Sequence, residues 1–158
     1  MGTQAVRQHS TPGERARWLI AAFISGALGV LIFHQAALGL LHAAGLTSAT
    51  PYGLAATKPF GLPQVWSLAF WGGVWGIVLA AALGRLRGAS FIVAAIIFGA
   101  IAPTLVAWFV VAPLKGQALA AGWVPARMAI GPIVNGAWGL GTAIGLCLLG
   151  RRQGTRTA

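Results

Sequence analysis

Polar and apolar positions in this chain are sorted into blocks rather than interleaved. Four apolar runs extend over approximately 18–44, 65–84, 90–112 and 128–150. Each reaches the roughly 20 residues that a helix needs to cross the hydrocarbon of a bilayer. The breakers lie between the runs. Thr47 to Gln64 carries Pro51, Pro59 and Pro63, with Tyr52 and Phe60, and reads as a loop whose aromatics suit the headgroup level. Arg85-Leu86-Arg87-Gly88 is a basic turn, and Pro113 to Arg127 is a second loop with Lys115, Trp123 and Pro125. Met1 to Arg17, with Ser10, Thr11, Pro12 and Gly13, reads as a disordered basic arm, and residues 151–158 as a basic tail. The expected fold is all-α: an integral membrane bundle of four transmembrane helices within residues 18–150.

Composition sharpens this picture. Hydrophobic residues make up 58% of the chain and charged residues 8%, against about 25% charged in a soluble domain. So apolar a fold calls for lipid as its solvent. The net charge of +10 would suggest nucleic acid in a soluble protein. Here the cations sit at the ends of apolar runs, where they set orientation, and no soluble basic face is left for phosphate contacts. Arg7, Arg15, Arg17, Arg85, Arg87, Arg151, Arg152 and Arg156 fall on one side, against Lys58, Lys115 and Arg127 on the other. The bias places both termini in the cytoplasm and the chain in a bacterial inner membrane. A signal peptide is the competing reading of the first run, but that run is much longer than the roughly 7–15 apolar residues of a leader.

Only one acidic side chain, Glu14, is present, and it precedes the first run. Carboxylate pairs, proton relays through Asp or Glu and HExxH motifs are therefore missing, no Walker loop is present either, and the chain reads as non-enzymatic, with no cofactor and no metal. His34 and His42 lie about 80° apart on one run, roughly 12 Å along the axis, which cannot place two imidazoles on opposite faces of one haem. Cys147 is alone in the last run and reads as a small buried hydrophobe.

Counting inward from the basic anchors places His34, Gln35, Thr104 and Asn135 at similar depth. Gly72 and Gly73 mark that level on the second run, where no side chain blocks access. Pro103 deprives the Gly99 carbonyl of its helical partner nearby. Polar groups in hydrocarbon are costly unless paired or wet. The layer is either a small polar site with His34 as its one group able to titrate near neutrality, or glue that fixes helix register. Trp18, Trp66 and Trp123 read as interfacial anchors; Trp71, Trp75, Trp108 and Trp138 lie deeper, where an indole N–H needs a partner. Gly72-x-x-x-Gly76 and Gly141-x-x-x-Gly145 are small-xxx-small patterns suited to close helix contact.

A repeat links the two halves. Gly73-Val74-Trp75-Gly76 is matched by Gly136-Ala137-Trp138-Gly139, and Ala21-Ala22-Phe23-Ile24-Ser25-Gly26-Ala27 by Ala94-Ala95-Ile96-Ile97-Phe98-Gly99-Ala100. Two tandem helical hairpins are one reading; chance likeness among Gly- and Ala-rich helices is the other. The segments Phe33-His34-Gln35, Leu41 to Leu46, Gly61 to Gln64, Ser67 to Gly73, Trp108 to Lys115 and Asn135 to Gly139 resemble a group of small proteobacterial inner-membrane proteins. The resemblance spans nearly all of the apolar portion and implies the same architecture; it carries no activity. The expected role is structural or accessory, through helix packing with itself or a larger membrane complex. The alternative is a small oligomeric channel or carrier with the polar layer as its constriction.

Overall fold

A computed structural model describes residues 11–57 and 61–150. The basic residues Arg7, Lys58, Arg151, Arg152 and Arg156, used for the orientation argument, lie outside them. Four helices dominate, each long and apolar enough to cross a membrane: α1 (Pro12–Ala43), α2 (Gln64–Leu83), α3 (Gly88–Leu114) and α4 (Pro125–Gly150). A two-stranded antiparallel ribbon, β1 (Ala56–Thr57) with β2 (Leu62–Pro63), folds the α1–α2 loop back on itself.

α1 starts at Pro12, six residues before the apolar run. This corrects the expectation of a disordered arm through Arg17. Thr11 and Glu14 form a capping box: Thr11 Oγ1 accepts from the Glu14 N–H at 3.3 Å, and Glu14 Oε2 accepts from the Thr11 N–H at 2.8 Å. Pro12 follows the cap directly, where a missing N–H costs nothing. The one acidic side chain is thus spent on starting a helix. α3 also begins earlier than expected, at Gly88, and runs through Pro113 to Leu114. α4 begins at Pro125, so Pro132 lies inside it.

The helices stand in the order α2, α1, α4, α3, with α1 and α4 in the middle and α2 meeting α3 only sparsely. Two seams hold the flanking helices. Between α1 and α2, a Cβ on Gly76 would lie 2.5 Å from the Ala22 carbonyl oxygen, and one on Gly26 would collide with the Gly72 carbonyl. Between α3 and α4, a Cβ on Gly139 would collide with the Ala95 carbonyl, and one on Gly99 with the Asn135 carbonyl. Absent side chains let the backbones approach to contact. The middle pair, α1 and α4, meets through Gly29 against Thr142, Phe33 against Gly141 and Ser25 against Gly145. Val30, Leu79, Phe91, Ala95, Trp138 and Ala143 form the buried core, and the half-buried Cys147 packs against it. Large apolar side chains such as Ile20, Leu40, Phe70, Trp71, Ile101 and Leu148 remain exposed on the outside.

Candidate functional site

Both long odd-numbered helices carry one π-helical turn near the end that faces the two long loops. In α1 it spans Val30–His34, and in α3 Ala107–Val111. A π turn adds a residue and leaves a carbonyl without its helical donor. In α1 the Gln35 N–H bonds the Val30 and Ile32 carbonyls, which passes over the Leu31 carbonyl. The Tyr52 hydroxyl, from the following loop, donates to that Leu31 oxygen at 2.9 Å. The same residue's backbone N–H donates to Gln35 Oε1 at 2.8 Å. Tyr52 holds a left-handed φ of 54°, a costly conformation for a non-glycine residue that persists only where surrounding bonds hold it. Gln35 is 2% exposed, and with the exposed Tyr52 of the loop it forms a clasp on the bulge.

The expected layer of His34, Gln35, Thr104 and Asn135 therefore divides. Asn135 Nδ2 donates to Thr104 Oγ1 at 2.9 Å, joining α4 to α3 as the depth count anticipates. Gln35 turns to the loop instead. His34 Nδ1 is buried without a hydrogen-bond partner, as is Ser25 Oγ. His42 closes a local contact, its Nδ1 3.1 Å from the Thr47 carbonyl oxygen at the end of the helix.

Gly72 and Gly73 are not open to access, contrary to expectation. Val30 covers Gly72 and the Phe23 ring covers Gly73, because a surface without side chains is the one a neighbouring helix can press into. Of the deep tryptophans, Trp138 is 2% exposed and its Nε1–H donates to the Gly26 carbonyl at 2.9 Å, across from α4 to α1. Trp75 stands in the corresponding place on α2 and packs edge-on to Phe98 of α3, centroids 6.0 Å apart. Trp71 points outward against Phe70. Gly136 differs from the seam glycines: a Cβ there would meet Ala100 at an ordinary 3.6 Å.

At the second π turn a cavity of about 400 Å³ opens between α3, the α3–α4 loop and the first turn of α4. Trp108, Gln117, Ala118 and Arg127 are among its walls. The loop there runs through left-handed Ala120, Ala121, Gly122 and Trp123. Neither the Tyr52 clasp nor this cavity is signalled by residue spacing, since a π turn leaves no mark in an apolar sequence. No group of three or more His, Cys, Asp or Glu side chains that could hold a metal is present among the described residues. No protein family, curated protein or solved structure matches the chain.

Proposed function

We propose that this chain is a multi-pass protein of the bacterial inner membrane, with both termini cytoplasmic, akin to the small proteobacterial proteins that its segments resemble. Its role is structural or accessory, exerted by packing with itself or within a larger membrane complex. The observation that carries this reading is how the interior polar groups are used. Asn135 bonds Thr104, Trp138 bonds the Gly26 carbonyl, and Gln35 bonds the Tyr52 backbone. These groups join elements to one another, and the glycine level is covered by α1. Such bonds fix helix register at modest energetic return, about 0.6 kcal/mol each. The outside is broadly apolar, as lipid or a partner helix requires.

The recurrence of the seam supports the reading of two tandem hairpins. Gly26, Gly76 and Ala22 in the first correspond to Gly99, Gly139 and Ala95 in the second, with the same atoms in contact. Chance likeness of Gly-rich helices explains shared letters but not a shared contact geometry.

The test is extraction of the full chain in mild detergent, followed by cross-linking and mass spectrometry of what accompanies it. A stoichiometric partner or a defined homo-oligomer is expected. A lone protomer, combined with solute flux in liposomes, would overturn the proposal. One observation favours the carrier alternative, the buried His34 Nδ1 without a partner. On that reading His34→Ala abolishes pH-dependent flux in liposomes, and unchanged flux removes it.

A further inference from the structure

The two π turns make the same demand on their surroundings and receive different answers. In α1 the passed-over Leu31 carbonyl is capped by Tyr52. In α3 the Ala112 N–H bonds the Ala107 carbonyl, and residue 113 is a proline without an N–H. The Trp108 carbonyl thus loses its donor at both the α and the π spacing. The loop that follows brings small residues to the bulge, Ala118, Ala121 and Gly122, and between them lies the cavity of about 400 Å³. Arg127 and Gln117 stand in its wall beside Trp108. The guanidinium has no acidic side chain to pair with. The single acidic side chain, Glu14, is bonded at the opposite end of the bundle. Among the described residues no acidic group reaches Arg127, so its anion comes from another molecule.

We propose that this cavity binds the phosphodiester headgroup of an anionic phospholipid, with the phosphate on Arg127 and glycerol hydroxyls near Gln117 and the Trp108 carbonyl. The inference rests on the membrane reading above. A planar guanidinium suits phosphate oxygens, which it meets with two parallel hydrogen bonds. The Trp108 indole and the alanines offer an apolar wall for the glycerol and first methylenes. Placement at a helix end, beside the interfacial Trp123, is the depth at which headgroups lie.

Native mass spectrometry of the purified full chain, released from nanodiscs of mixed phosphatidylglycerol and phosphatidylcholine, tests this. The parent should retain one phosphatidylglycerol in preference to phosphatidylcholine. Arg127→Gln should lower that retention by about tenfold, as loss of a charge-assisted hydrogen bond implies. Arg127→Lys should restore part of it. Ala118→Phe, which fills the cavity and keeps the charge, should also lower it. Lys115→Gln removes a charge at the same end outside the cavity and should leave it unchanged. Equal retention by Arg127→Gln and the parent, or equal losses in Arg127→Gln and Lys115→Gln, overturns the proposal. Displacement of the lipid by excess inorganic phosphate would make the free anion the ligand and overturn the lipid assignment. A chain that is monodisperse in buffer without amphiphile fails the membrane reading itself, which is a separate outcome.

Discussion

Two glycines three residues apart on α4 should respond differently to the same substitution, one destabilised and the other not. A methyl on Gly139 would be driven into the Ala95 backbone carbonyl and would lie 3.3 Å from the Ile96 Cα. Backbone cannot rotate aside as a side chain can, so α3 and α4 must separate by roughly 1 Å to reach ordinary contact. A gap of that size forfeits a quarter to a half of the dispersion energy of each contact along the seam. Overpacking of this kind costs about 1–3 kcal/mol. Alanine's better helix propensity returns about 1 kcal/mol, so Gly139→Ala should be destabilising by up to about 2 kcal/mol. Gly136→Ala places its methyl 3.6 Å from Ala100 and 3.7 Å from Ile96, at favourable van der Waals separation from both. It should be neutral or stabilise by up to about 1 kcal/mol. Equilibrium unfolding in mixed micelles of dodecylmaltoside and dodecyl sulfate, followed by circular dichroism, measures both. Equal destabilisation by the two variants, or none by Gly139→Ala, would refute the backbone-contact argument.

Three further outcomes follow from the side-chain bonds. In a double-mutant cycle on Thr104→Ala and Asn135→Ala, the coupling should lie near ~0.6 kcal/mol and below ~1.7 kcal/mol, the range for such bonds in membranes; zero coupling in the unfolding assay removes the bond. Tyr52→Phe leaves the Leu31 carbonyl without its donor and should cost about 1 kcal/mol, read as faster protease nicking between Ala44 and Gln64. Thr11→Ala removes one half of the capping box and should cost about 1 kcal/mol, read as faster amide exchange over Gly13 to Arg17 with exchange in α4 unchanged.

The four helices are legible in the sequence because a run long and apolar enough to span a bilayer has few choices. A run long and apolar enough to span must satisfy its own backbone, and that makes it a helix. The helix starts were less legible where polar residues open a helix. Thr11-Pro12-Gly13-Glu14 contains a capping box and a first-turn proline, but Pro and Gly side by side read as breakers unless the Thr-to-Glu spacing is weighed with them. Depth counting brought Thr104 and Asn135 together correctly. It failed for Gln35, because counting assumes a regular helix and the π turn at Val30–His34 inserts a residue just before it. The Tyr52 clasp was out of reach for the same reason: its acceptor is a carbonyl freed by that extra residue. The glycine level reads as open space in the sequence, whereas a surface without side chains invites the closest neighbour.

The likeness of the two hairpins also exposes where they diverge, and the divergence is chemical. Four residues before each seam glycine, Gly76 and Gly139, the first hairpin has Gly72 and the second has Asn135. Gly72 admits Val30 from α1, so that seam is sealed by an apolar side chain. Asn135 instead extends an amide to Thr104, so the other seam is sealed by a hydrogen bond. Two side-chain bonds cross from α4, one to α1 through Trp138 and one to α3 through Asn135. α4 is therefore the element to which α1 and α3 are registered by hydrogen bonds, while α2 is held by the glycine seam on α1 and by packing of the Trp138 indole against Gly72. Dispersion falls off steeply with separation, while a hydrogen bond in hydrocarbon resists being left unmade. On this reasoning a perturbation of the first seam loosens α2 while the hydrogen-bonded helices stay in register, whereas loss of Asn135 loosens α3, and loss of Trp138 loosens the central pair together with its packing on Gly72 of α2.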